Sequence, residues 1–181
     1  DIADLQLTLR PGGRISGRIV FEASGQPLPE ARSIAIMLRA LPGSAGAFEP
    51  RPSAAIADPV TQQFTSPELT PGPYVVAVNS LPTGWVLKCV TARGMNLVDQ
   101  PFDLPLTGIS DVVVTVTDRI STLAGTARDA DNRPAPSATI VVFPTDKTLW
   151  RPGGIASRRL QTAAPTRDGL YTLRGLPAGE Y

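Results

Sequence analysis

Histidine is absent from the 181 residues. That removes the commonest general base near neutral pH and the commonest metal ligand. Ser-His-Asp and Cys-His catalysis and histidine-held zinc are thereby excluded. The single cysteine, Cys89, allows neither an internal disulfide nor a cysteine cluster. The formal net charge is +1, without the basic excess of a nucleic-acid binder. No run reaches the roughly 18–20 apolar residues of a membrane-spanning helix. Asp1 opens directly into a strand-like pattern, with no signal-peptide pattern ahead of it. What abounds is Gly and Pro, 16 and 19 residues. Such density breaks long helices, because Pro lacks a donor N–H and Gly gains freedom on unfolding. Hydrophobic residues make up 42%, enough for a packed core and against global disorder.

The chain repeats itself. Residues 2–9, Ile-Ala-Asp-Leu-Gln-Leu-Thr-Leu, match residues 109–116, Ile-Ser-Asp-Val-Val-Val-Thr-Val, at an offset of 107. Gly17 matches Gly125 at 108, and Pro27 to Ala31 matches Pro134 to Ala138 at 107. Leu69 to Tyr74 matches Leu176 to Tyr181, again at 107. One full unit and the first two-thirds of another are expected: residues 1–10 as the last strand of a preceding unit or a donor strand, 11–117 as a complete sandwich, and 118–181 as a C-terminally incomplete one.

Each unit reads as β. Leu5, Leu7 and Leu9 alternate with polar residues, and Arg14 to Phe21 also alternates, the period-2 pattern of a half-buried strand. Ser33 to Leu38, Tyr74 to Val78, Trp85 to Val90, Asp111 to Thr117 and Thr139 to Phe143 are apolar or branched runs of strand length. Pro82 to Gly84 marks a turn, and Asp168-Gly169 marks a hairpin. Leu41 to Asp58 and Lys147 to Thr166 read as loops. Short strands between Gly/Pro turns predict a β-sandwich.

The second unit carries Leu123-Ala124-Gly125-Thr126-Ala127-Arg128-Asp129, Pro134-Ala135-Pro136-Ser137-Ala138-Thr139-Ile140, Thr166-Arg167-Asp168-Gly169-Leu170-Tyr171 and Gly175-Leu176-Pro177-Ala178-Gly179-Glu180-Tyr181. This resembles the carboxypeptidase regulatory-like domain, a transthyretin-like relative of the collagen-adhesin B-type repeats. The first unit is looser: Thr61-Gln62 replaces Asp-Gly, which predicts a wider hairpin. The resemblance implies an all-β chain of tandem immunoglobulin-like sandwiches, seven strands each, in a family of mostly non-enzymatic accessory domains and bacterial surface arrays. Its hydrolase relatives depend on histidines that this chain lacks.

Few residues point to chemistry. Asp129, Asp131 and Asn132 fit a β-turn better than a calcium loop, since no glutamate follows to supply the bidentate ligand. Trp85 and Cys89 lie in an apolar run and read as core. Trp150 and Arg151, in an expected loop, are the candidates for glycan contact. No catalytic residue, metal ligand or cofactor is expected.

The expected protein is therefore non-enzymatic, extracellular or on the cell surface. Its partners would be copies of itself joined head-to-tail, with Leu5, Leu7 and Leu9 docking by β-augmentation, or neighbouring domains of a longer chain. A monomeric spacer and a carbohydrate-binding module of a larger secreted or outer-membrane protein stand as alternatives.

Overall fold

The computed structural model describes residues 11–41, 53–150 and 157–181. Among them no helix is long and apolar enough to cross a membrane, and the regular structure is β apart from two 3₁₀ turns, Ala31–Ser33 and Lys147–Leu149. The strands are β1 Ile15–Glu22, β2 Ala35–Ala40, β3 Ser53–Ile56, β4 Gln63–Thr65, β5 Gly72–Asn79, β6 Val86–Ala92, β7 Met95–Asn96, β8 Phe102–Leu104, β9 Ile109–Thr117, β10 Thr122–Thr126, β11 Ile140–Val142, β12 Gln161–Ala163 and β13 Leu170–Arg174.

The first nine strands form two sheets, ordered β4-β1-β9-β6-β7 and β3-β2-β5-β8. One cluster of buried side chains joins them. Ile15, Ile19, Val90, Val112, Val114 and Val116 come from the first sheet, and Ile36, Leu38, Val76 and Leu104 from the second. Each such side chain contributes about 1.5–3 kcal/mol on leaving water. Trp85 is buried with its ring edge-on to Phe21, centroids 5.6 Å apart. The architecture is sandwich-like. The turn at Pro82 to Gly84, closed by Trp85 N donating to the Pro82 carbonyl at 3.0 Å, carries the chain from one sheet to the other, since β5 and β6 lie in different sheets.

Two expectations of local structure change. The segment from Leu41 to Asp58, expected as loop, contains β3, whose four residues pair with β2. The segment from Lys147 to Thr166 contains a 3₁₀ turn and β12, which pairs with β11. Polar, proline-rich flanks mask such short strands, and long-range pairing decides them.

β9 lies parallel to β1, with Gly17 opposite Val112, Ile19 opposite Val114 and Phe21 opposite Val116. A bulge precedes this register, because Ile15 faces Ile109 while Gly17 already faces Val112. Asp111, the extra residue, takes φ 60°, a conformation that Asp tolerates better than most residues. At Gly17 an added Cβ would stand 1.9 Å from the Val112 carbonyl oxygen. Glycine is therefore required where the two backbones close up.

The 107–108 offset recurs in the strand pairing. β1 and β4 pair antiparallel with Gly17 opposite Phe64. β10 and β13 pair antiparallel with Gly125 opposite Tyr171. The turns before β4 and β13 match as well, with Gln62 at φ 58° and Gly169 at φ 79°. The earlier turn is one residue wider. Asp58 N donates to the Gln63 carbonyl, whereas Thr166 N donates to the Leu170 carbonyl. Burial does not recur. Ile15, Ile34 and Ile36 are at most 1% exposed, while the corresponding Leu123, Val141 and Phe143 are 40%, 49% and 47% exposed.

Candidate functional site

The densest polar cluster in the described residues gathers around Asp99. The turn after β7 positions it. Leu97 is fully buried, and its N–H donates to the Val90 carbonyl at 2.8 Å. Asn96 then organises the turn: its Oδ1 accepts from Val98 N at 3.0 Å, and its Nδ2 donates to Asp99 Oδ2 at 3.0 Å. The Asp99 side chain is only 5% exposed.

Two consecutive arginines from the later part of the chain close on this carboxylate. Arg158 Nε donates to Oδ1 at 2.9 Å and Nη2 to Oδ2 at 3.1 Å, a two-pronged pairing. Its Nη1 also reaches the Leu87 carbonyl at 2.6 Å, and Nη2 the Lys88 carbonyl at 3.1 Å. Arg159 Nη2 donates to Asp99 Oδ2 at 2.8 Å, and its Nη1 to the Ala178 carbonyl at 2.8 Å. One carboxylate thus ties β6, the β7 turn and the segments around residues 159 and 178 into one network. Burial pushes the Asp99 carboxyl up, but hydrogen bonds from Arg158 and then Arg159 outweigh it and bring it down to about 2. Burial works against the Arg159 charge too, and the hydrogen bond to Asp99 outweighs it, so the guanidinium holds its proton more tightly than usual. A carboxylate with so little affinity for a proton is a poor general base near neutral pH. The arrangement serves as a clasp. A cavity of about 360 Å³ beside it is lined by Val76, Val78, Leu87, Val98, Arg158 and Arg174 among others.

A second carboxylate closes the end of β1. Asp118 accepts from Ser24 N at 2.7 Å, Ser24 Oγ at 2.8 Å, Gly25 N at 3.1 Å and Gln26 N at 3.2 Å. The Ser24 backbone bond leads, and the remaining donors help to hold its carboxyl at about 2 against the opposing effect of burial.

The residues singled out in the sequence behave differently. Trp150 ends the 3₁₀ turn Lys147–Leu149 and is half-buried. Its ring packs edge-on against Phe143 at 5.3 Å, and its indole N–H donates to the Pro144 carbonyl at 2.8 Å. The donor that would orient a sugar is therefore already engaged. Arg151, and Leu5, Leu7 and Leu9, lie outside the described residues. Asp129 Oδ1 accepts from Asp131 N at 3.0 Å and Arg133 N at 2.9 Å, and Asn132 takes φ 65°, so this segment is a turn. Cys89 is half-buried rather than core, because strand alternation turns it to the face opposite the fully buried Val90. Among the described residues no three Cys, Asp or Glu side chains gather as a metal site would need.

Asp99, Arg158 and Arg159 escape a reading of the sequence. The only signal is a pair of adjacent arginines in an expected loop, and nothing in spacing links them to a carboxylate about sixty residues earlier.

Sheets and clasp together define an all-β, sandwich-like protein whose main polar cluster joins parts of the fold. No protein-family model matches the chain, and no curated protein matches it. Among solved structures it is similar to a DUF3823 family protein from Parabacteroides merdae. The match covers 91% of this chain and 80% of that one, at 15% identity and a TM-score of 0.36. The likeness is distant.

Proposed function

We propose that this is a non-enzymatic structural protein of tandem immunoglobulin-like units of the carboxypeptidase regulatory-like kind, working outside the cell and assembling head-to-tail. The observation that carries the reading is the repeated strand register, Gly17 opposite Phe64 and Gly125 opposite Tyr171. Two sequence copies that pair these strands alike support a reading as units of an array. The Asp99 clasp supports a mechanical role. It spans the two copies with buried, charge-assisted hydrogen bonds, so the array transmits orientation instead of flexing at a linker. The resemblance in the sequence supports the extracellular place and the lack of enzymatic activity. The prominent carboxylates, Asp99 and Asp118, are committed to hydrogen bonds that suit them to holding structure.

Light scattering coupled to size exclusion, with electron microscopy of the same material, tests this. The expected result is a mass that rises with concentration and linear particles in the images. A single monomer mass at every concentration would remove assembly and leave a spacer.

A further inference from the structure

We propose that the cavity of about 360 Å³ beside the Asp99 clasp binds a small amphiphilic carboxylate, with its aliphatic chain against β5 and β6 and its anionic head between Arg39 and Arg174. The site goes beyond the structural reading above and does not depend on assembly.

Strand register lays the walls. In β2, Ile36 and Leu38 are at most 1% exposed and belong to the core between the sheets, so alternation turns Arg39 to the outer face. There Arg39 stands opposite Val75 of β5. Val75 is only 4% exposed, yet it lies outside the cluster that joins the sheets, whereas its neighbours Tyr74 and Val76 lie within it. A buried apolar residue thus sits beside a cation on the outside of the sandwich. Leu81 and, from β6, Val86 and Leu87 extend the apolar surface.

The other wall comes from later in the chain. Leu173 is buried, so alternation turns Arg174 the opposite way. Gly175, at φ 75°, then carries the backbone past Val86: a Cβ at Gly175 would meet Val86 Cγ1 at 3.5 Å. Arg174 therefore reaches the cavity that Arg39 lines, although β13 and β2 belong to different sheets.

Charge decides what such a cavity takes. Three guanidinium groups line it, those of Arg39, Arg158 and Arg174, against one carboxylate, Asp99. Asp99 is already engaged by Arg158 and by Arg159. Arg39 and Arg174 have no hydrogen-bond or ion-pair partner among the described residues. Both are exposed, which places their heads at the mouth, while Val75 and Val76 form the floor. Small-ligand sites of about 300–1,000 Å³ have this make-up, mostly apolar walls with a few converging polar groups, and favour junctions between structural units. This one lies where the first copy meets the second. A neutral apolar ligand leaves the two cations unused, and an inorganic anion leaves the apolar walls in water. An amphiphilic carboxylate answers both, and a forked guanidinium suits its head.

Octanoate is the probe, with 1-octanol as its uncharged counterpart and acetate as the head without the chain. Calorimetric titration of the full chain should give octanoate a dissociation constant about tenfold or more below those of octanol and acetate. In NMR spectra of the same protein, octanoate should move the methyl signals of Val75, Val78 and Leu87. It should leave those of Leu28 and Leu106, exposed apolar residues outside the cavity. Arg39→Gln and Arg174→Gln should each weaken octanoate about three- to fivefold, the worth of a partly exposed ion pair. The double variant should bind octanoate no better than octanol. Arg18→Gln, on β1 and outside the cavity, should change nothing. No octanoate binding at millimolar concentration overturns the site, as does octanol or acetate binding as tightly as octanoate. Shifts centred on Leu28 or Leu106, or full affinity in the double variant, overturn it equally. Each such result leaves the light-scattering test of assembly standing, so the two readings fail separately.

Discussion

Replacing Asp99 by Asn keeps the shape of the clasp and removes its charge. The carboxyl sits at about 2 in the folded protein against 3.8 ordinarily. A shift of close to two units corresponds to about 2.5 kcal/mol favouring the charged form. The Arg158 side chain is 23% exposed, so solvent screens part of this and leaves about 1.5–2.5 kcal/mol. Because the folded value is the lower one, the stabilisation is fully present above 3.8 and is lost as pH falls through about 2. At pH 7 Asp99→Asn should therefore cost about 1.5–2.5 kcal/mol. Asp99→Ala should cost about 3–5 kcal/mol, since it leaves two guanidinium groups without their carboxylate in a largely buried site. Urea unfolding read through tryptophan fluorescence suits the question. Trp85 reports the core between the first two sheets, and Trp150 reports the region around Phe143 and the second 3₁₀ turn. With Trp85→Phe and Trp150→Phe as single-probe backgrounds, the Trp150 signal should lose more stability, because the arginines belong to its side of the clasp. The stability gap between the native protein and the Asp99→Asn variant should be widest above about pH 5 and close towards about pH 2. An Asp99→Asn midpoint equal to that of the native chain at pH 7, or a gap independent of pH, refutes the reasoning.

Gly17→Ala should destabilise by about 3 kcal/mol, because its Cβ would stand 1.9 Å from backbone of β9 that cannot yield without breaking the strand pair. Gly25→Ala, with nothing within 4 Å of the new Cβ, should stay within about 0.5 kcal/mol by the same chemical denaturation. The Asp118 carboxyl should titrate near 2 by carbon-detected NMR. Its hold on residues 24–26 is fully present above 3.8 and is lost as pH falls through that lower midpoint, with faster exchange of the Ser24, Gly25 and Gln26 amides.

Much of the strand content is legible because local pattern carries it. The alternation from Arg14 to Phe21 is β1, and the branched run from Asp111 to Thr117 lies within β9. β3 and β12 go unseen because they are only four and three residues long and exist through pairing with their neighbours. β7 and β8, two and three residues long, are too short for periodicity to register. That β1 and β9 are parallel partners is a property of the whole sheet and has no local signature. The clasp is hidden for a related reason. Asp99, Arg158 and Arg159 meet only after the chain has folded, and isolated charges ordinarily mean a solvated surface. Trp150 stands out as an aromatic in an expected loop, but Phe143 and Pro144 claim its ring and its N–H.

The parallel neighbours β1 and β9 also fix an order of events. Ile15 waits for Ile109, about ninety residues later in synthesis, and until then β1 has only β4 beside it. Such distant pairing makes folding slow relative to proteins built from local contacts. A newly made chain therefore passes through a stage in which β1 offers an unfilled side to any strand of suitable pattern, so crowded nascent chains are exposed to exchanging strands with one another before each has completed itself.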